Sequence, residues 1–363
     1  MSGVWGNKIK YSIFGESHGK AIGITIDGLQ SGIEIDLDEV NKEMRRRAPG
    51  RNKLSTARAE KDEFEILSGI FNGKTTGTPI CAIIRNSDKH SKDYEKTKNL
   101  MRPGHADYTG FVKYDGFNDY RGGGHFSGRL TAPIVFAGAI AKQVLAKRNI
   151  LVGSHIKSIG NIEEEYFNPI DIKEDTLKTL KNKEFATIDD SKGKLMQEEI
   201  LKAKEDMNSV GGIIECAILN LPSGIGSPFF GSVESVLSSL LFSVPAVKGV
   251  EFGAGFNISK MRGNEANDEF YMDGENIKTY TNNNGGILGG ITSGMPVIFR
   301  TAFKPTPSIA KEQRTINIET RENTTIKIEG RHDPCIVQRA IPVIEAVAAM
   351  GKIGRASCRE SVR

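Results

Sequence analysis

Cysteine is sparse in this sequence, and its spacing carries no pattern. Cys81, Cys216, Cys335 and Cys358 stand far apart with no C-x-x-C or similar repeat. This excludes a cysteine-ligated metal framework and fits reduced thiols in a cytoplasmic protein. Long apolar runs are missing too. No stretch reaches the roughly 18 residues that a membrane span needs, and the N-terminal MSGVWGNKIKYSIFGES has no apolar segment leading to a small-residue cleavage site. Charge of one sign is not in excess. The 49 Lys and Arg against 45 Asp and Glu leave a formal +4 over 363 residues, too mild for a dedicated nucleic-acid binder. Repeats, regular βαβ spacing and a clear linker are absent as well.

What is present fits a globular chain with a real core: 38% hydrophobic and 26% charged residues. The 40 glycines fall in tight clusters rather than linkers, which points to loop chemistry. Ile22–Asp27, Thr78–Arg85, Gly211–Leu221 and Pro296–Arg300 read as strands, being rich in apolar and β-branched residues. Asp36 caps a predicted helix that carries Leu37, Val40 and Met44 on one face and stops at Pro49-Gly50. Further helices are predicted over about 130–146 and 194–207. A last one starts with Asp333 as N-cap and Pro334 at its first position. Strands and helices intermix without a linker, so the expectation is one α+β domain over residues 1–350. Gly351 is expected to end the final helix, leaving a polar, unpatterned tail over 351–363 that reads as non-native or disordered.

Several segments could carry chemistry. His18 lies in Gly15-Glu-Ser-His-Gly19 and His105 in Arg102-Pro-Gly-His-Ala-Asp107. Each could be an ordinary loop histidine. Two such glycine-flanked histidines in one chain point to acid/base work, because imidazole titrates near neutral pH. Arg45, Arg46 and Arg47 close a helix, where cations complement the dipole and are usually solvated; the alternative is a phosphate or carboxylate clamp. Arg121-Gly-Gly-Gly-His125-Phe126-Ser127-Gly-Arg129 offers backbone N–H groups and a following helix N-terminus to an anion. It is neither a dinucleotide fingerprint nor a P-loop. Arg331-His-Asp333 and Lys304-Pro305-Thr306-Pro307-Ser308 say little alone. The residues by themselves therefore describe an enzyme-like anion site with two histidines, and a phosphoanion-binding module stays open.

Taken together, the segments resemble the chorismate synthase family. The blocks are GESHGKAIGITIDG at Gly15–Gly28, RPGHADYTG at Arg102–Gly110 and DYRGGGHFSGRLTAPIVFAGAIA at Asp119–Ala141, followed by AVKGVEFGAGF at Ala246–Phe256, GGILGGITSG at Gly285–Gly294 and GRHDPC at Gly330–Cys335. The resemblance runs from about Gly6 to Met350. It implies a β-α-β sandwich of two antiparallel sheets with helices between and around them, assembled as a homotetramer. It also implies an FMN-dependent lyase that eliminates phosphate from 5-enolpyruvylshikimate 3-phosphate without net redox change, the flavin carrying the hard step.

The resemblance further implies roles. His18 would protonate or hydrogen-bond the departing phosphate, His105 would manage the proton of the reduced flavin, and Asp333 would lie near the flavin and take the substrate proton. Arg46, Arg47, Arg129 and Arg331 would hold substrate anions. Arg47, Lys53, His125, Phe126, Ser127, Pro245, Ala246, Gly289, Lys304, Pro305, Thr306, Pro307, Ser308 and Arg331 would line the flavin or its reductant. Departures from the family pattern fall at His125-Phe126, where Arg-Ser is common. They fall also at Ala48 and Lys53, which replace arginines, and at Pro245, which replaces an asparagine. The replacement at Lys53 concerns NADPH. With no separate nucleotide domain in view, a monofunctional enzyme served by a separate flavin reductase is expected over one that reduces its own flavin.

Overall fold

The run Ala21-Ile-Gly-Ile-Thr-Ile-Asp27 alternates bulky β-branched residues with smaller ones, as a half-buried strand requires. In the structure, a computed structural model that describes residues 3–50, 52–55, 61–86, 95, 97–328 and 332–356, it is the central strand of a five-stranded sheet. The chain divides into two units: Met1–Ala137, Gln197–Gly211 and Pro305–Arg339 form the first, and Gly138–Met196, Gly212–Lys304 and Ala340–Arg363 the second.

In the first unit β1 (Val4–Trp5), β2 (Lys10–Gly15), β3 (Ala21–Asp27), β4 (Phe64–Ser68) and β5 (Ile80–Arg85) pair antiparallel in the order β1-β2-β3-β5-β4. Register places Ile22 opposite Ile84, Ile24 opposite Ala82 and Ile26 opposite Ile80. All six are buried, so one face of β3 and β5 is continuous apolar surface. Helix α1 (Leu37–Arg47) forms as expected. The Asp36 carboxylate accepts from the N–H groups of Asp38 (2.8 Å) and Glu39 (3.2 Å), and Val40 and Met44 are buried. Helix α2 (Asp107–Lys113) and two 3₁₀ turns, Arg121–Phe126 and Gly128–Leu130, lead into α3 (Thr131–Ala146).

In the second unit β6 (Leu151–Ile159), β7 (Ile162–Glu163), β8 (Gly212–Leu219), β9 (Val247–Phe252) and β10 (Val297–Phe303) make another antiparallel sheet, ordered β9-β10-β8-β6-β7. Helix α4 (Glu174–Asn182) sets Leu177 and Leu180 in a core with Phe167, Ala217, Leu219 and Ile298. Helices α5 (Asp190–Glu205), α6 (Val233–Leu241) and α7 (Val337–Ala356) complete the large elements. Antiparallel sheets with separate helices make the fold α+β, as expected.

Three expectations about helices are corrected. The segment Gly128–Ala146 is long and apolar enough to cross a membrane, although 78% of its apolar window is buried within the protein, as in a core helix. Gly138 shows how tightly it packs: a Cβ there would lie 2.1 Å from the Cβ of Ala346 on α7. Helix α7 itself starts at Val337, not at Asp333-Pro334, and runs through Gly351 to Ala356. The Asp333 carboxylate is engaged by Arg339 instead of capping. Gly351 does not stop the helix; a Cβ there would lie 3.0 Å from Leu240 and 3.3 Å from Leu237 on α6, so glycine serves close packing. Residues 357–363 of the expected tail lie outside the described residues. Among the described residues Cys81, Cys216 and Cys335 are free thiols, as expected.

Strand β6 escapes a pattern reading because Ser154, His155, Lys157 and Ser158 are buried polar residues. They feed a charged network. The His155 ring is fully buried between two carboxylates: Nδ1 faces Glu164, and Nε2 faces Glu215 at 3.0 Å. Glu164 also accepts from the N–H groups of Ile188 and Asp189, and Glu215 from that of Phe167 and from Arg300. Burial alone pushes the imidazole pKa down, but hydrogen bonds to Glu164 and Glu215 more than offset it, and the net shift is upward. The stabilisation is therefore complete below the unfolded value near 6.5 and is lost as pH rises through the folded one. His155→Ala leaves two facing carboxylates in a buried site. A cost of about 3–5 kcal/mol is expected, read from urea midpoints; equal midpoints would show that the pairing contributes nothing.

Candidate active site

The site is described entirely within the first unit, and it begins with a turn. Between β2 and β3 the chain reverses through Glu16–Gly19, with the N–H of Gly19 donating to Glu16 at 3.0 Å. The Asn86 side-chain amide staples this turn by donating to the carbonyls of Glu16 (3.0 Å) and Gly19 (3.1 Å). His18 is thereby held in a buried position, with Nδ1 3.1 Å from the Ser17 hydroxyl. That hydroxyl donates to the Arg121 carbonyl at 3.3 Å, and the Ser17 N–H donates to the Gly124 carbonyl. The Gly15 turn and the three-glycine turn are thus bound to each other.

Gly122, Gly123 and Gly124 all have positive φ (61°, 101° and 52°), which side chains resist and glycine adopts freely. Their missing side chains matter as much as their conformation. A Cβ on Gly122 would lie 2.1 Å from Cε1 of His18, and one on Gly123 would lie 3.1 Å from Nε2 of His105. The two histidines singled out in the sequence therefore stand against the same turn. His105 is oriented by Asp107: its Nδ1 is 2.7 Å from a carboxylate oxygen, so Nδ1–H donates there and Nε2 points to Gly123. Arg102 holds the same carboxylate through two nitrogens, each at 2.7 Å. Burial raises the Asp107 pKa, but the hydrogen bonds from Arg102 and His105 prevail and leave it far below the usual carboxylate range. Arg121 is paired with Asp119 at 2.7 Å, and this hydrogen bond lowers the Asp119 pKa.

The arginines converge on a residue that sequence reasoning missed. Arg47 and Arg129 are both ion-paired to Asp62, whose carboxylate is fully buried. Arg47 also donates from Nε to the Thr131 hydroxyl (3.2 Å), and Arg129 from Nε to the Asn86 amide oxygen (3.2 Å). Arg339 donates to the Arg47 carbonyl at 3.0 Å and is ion-paired to Asp333. A continuous chain of contacts thus runs from Asp333 through Arg339, Arg47, Asp62, Arg129 and Asn86 to the His18 turn. Arg46, one residue along α1 and so pointing elsewhere, pairs with Glu43 at 2.7 Å instead. Arg331 lies outside the described residues.

The remaining predicted residues scatter. His125 donates from Nδ1 to the Gly15 carbonyl at 2.9 Å. The Phe126 ring packs on Gly110 and Tyr114, while the Ser127 hydroxyl accepts from the N–H of Arg129. Lys53 is exposed, and its carbonyl accepts from Lys204. Thr306 accepts through its carbonyl from Ser209 at 2.7 Å, and Ser308 is buried. In the second unit, taken by itself, the Lys304 N–H donates to the carbonyl of Ala246, which follows Pro245 and has φ 73°. Burial, then Lys248, lowers the Lys304 pKa. Gly289 and Gly290 turn a two-residue hairpin with positive φ at both positions.

With this geometry in view, comparison with known proteins is decisive. A sequence model described as chorismate synthase matches residues 9–353. The chain belongs to the chorismate synthase family. It is 46% identical over 344 residues to a chorismate synthase of Thermococcus kodakarensis, covering 95% of this chain and 94% of that protein. It is 47% identical over 363 residues to one of Methanocaldococcus jannaschii, with 96% and 95% covered. A solved structure described as a crystal structure of chorismate synthase superposes with a TM-score of 0.76 at 29% identity, covering 97% of this chain and 93% of that one.

The Asp107 site yields a pH prediction. A carboxylate whose folded pKa is depressed stabilises above its unfolded value, near 3.9, and loses that contribution as pH falls. Urea midpoints of wild type and Asp107→Asn should differ most at pH 6, begin to draw together below about pH 4, and converge only as pH falls through the strongly depressed folded value. A difference that does not shrink with acid would mean that the pairing is not electrostatic.

Proposed function

We propose that the chain makes chorismate by anti-1,4-elimination from 5-enolpyruvylshikimate 3-phosphate. The reading is carried by one observation: His18 and His105 face a single three-glycine turn, and the contact chain from Arg47 and Arg129 ends, through Asn86, at the turn that holds His18. Membership of the family supports it. The balance is simple. The bond from C3 to the phosphate oxygen breaks with its electron pair leaving on phosphate, the C6 proton is removed, and one new double bond forms with no net oxidation.

The residues divide this work. Arg47 and Arg129 bind anionic groups of a substrate that carries a phosphate and two carboxylates, as planar guanidiniums do well. Arg331 would add a further anion contact; Arg46, turned away and paired with Glu43, is given no such role. His18, held through Nδ1 by Ser17, presents its other nitrogen to the departing phosphate as donor. His105, oriented by Asp107, exchanges a proton through Nε2. Asp333, positioned by Arg339, takes the substrate proton. Reduced FMN, when bound, supplies transient electron donation that eases loss of phosphate. The first unit has features that fit it: the Thr306 hydroxyl is buried with no hydrogen-bond partner among the described residues, so a polar ligand atom would satisfy it. His125, Ser127 and Pro305–Ser308 would hold the cofactor there. In keeping with the family, the enzyme works as a cytoplasmic homotetramer and receives reduced flavin from a separate reductase, without NADPH of its own at Lys53.

The test is an anaerobic assay following chorismate absorbance. Chemically reduced FMN should support turnover, while NADPH with oxidised FMN should give almost none; efficient turnover on NADPH alone would overturn the monofunctional reading. His18→Ala, His105→Ala and Asp333→Asn should each lower kcat by about 10²–10⁴-fold, and full activity in any of them removes that residue from the chemistry.

A further inference from the structure

The Asp62 carboxylate does something that a substrate-binding arginine pair needs and that the reaction itself does not require. Its two oxygens are divided: Oδ2 faces Arg47 and Oδ1 faces Arg129. Its side chain is wholly buried, and the side chains of Arg47 and Arg129 beside it are 4% and 7% exposed. Two buried cations without a counter-ion would repel each other and lack solvation. With Asp62 the triad carries one net positive charge instead of two. Each guanidinium is also fixed at Nε, by Thr131 or by Asn86, so neither turns independently. Asp62 holds a left-handed backbone conformation, φ 51°, which is uncommon for a residue with a side chain.

We propose that Asp62 is the positioning residue that sets the anion affinity of this site. It aligns the two guanidiniums and reduces their combined charge, so that phosphate is held firmly enough to orient and loosely enough to leave. The inference rests on the reading of Arg47 and Arg129 as anion contacts.

The experiment uses the full chain and inorganic phosphate as probe, with calorimetric binding beside kcat and KM in the reduced-FMN assay. Asp62→Asn keeps a hydrogen-bonding oxygen on the same frame and removes the charge. It should bind phosphate about tenfold tighter, the scale expected for one nearby charge in a partly buried site, and KM should fall together with kcat as release slows. Asp62→Ser, also neutral, should tighten phosphate in the same direction. A purely structural role would give weaker or unchanged phosphate binding in both variants and would overturn the proposal, as would failure of both to fold. If phosphate tightens but wild type makes no chorismate, the assigned reaction falls and the role of Asp62 stands. If chorismate is made and phosphate binding is unaltered in the variants, the reverse holds.

Discussion

Two guanidiniums drawn to one buried carboxylate organise this site. A charge buried without a partner is among the costliest arrangements in a protein interior, so Arg47, Arg129 and Asp62 can be buried only as a set. Their second contacts then recruit neighbours. Thr131 belongs to the start of α3, Asn86 follows β5, and Arg339 lies in the first turn of α7. Asn86 fastens the His18 turn, and Arg339 fastens Asp333. Segments far apart in sequence are thereby fixed to one another by polar contacts of defined direction, which apolar packing does not provide.

The second unit repeats the principle with a different centre. His155 lies between Glu164 and Glu215, and Arg300 bridges Glu215 to Glu251. None of these groups belongs to the proposed chemistry. Such networks are costly when incomplete and specifying when complete. Here every carboxylate of the network accepts from more than one donor, which ties β6, β8, β9 and β10 into one register.

Much of the fold and part of the site were legible in the sequence. Strand β3 and helix α1 announced themselves because local pattern and tertiary environment agree: alternating isoleucines in one, an Asp cap and a single apolar face in the other. The histidine loops and the three-glycine turn were legible because several unusual residues stand together. Asp62 was not. It lies in Glu60-Lys-Asp-Glu63, a run that looks like solvated surface, and neither its left-handed φ nor its partners leave a local trace. Strand β6 was missed for the same reason, since buried His and Lys erase its alternation. Asp333 was misread as a helix cap because its partner is Arg339, six residues on, and a side-chain competitor cannot be seen in a local capping pattern. Gly351 was misread as a stop because the close neighbours that demand it come from α6.

The three-glycine turn also shapes how this gene can vary. Any amino-acid replacement of a glycine adds a Cβ. At Gly122 that atom would enter the His18 ring, at Gly123 it would press on His105, and at Gly124 it would lie 2.2 Å from the Asp119 carbonyl. Replacement at each of the three adjacent positions is therefore strained, by the positive φ and by these contacts. The neighbouring positions 125 and 126 carry no such restriction: His125 is exposed, and Phe126 faces away toward Gly110 and Tyr114.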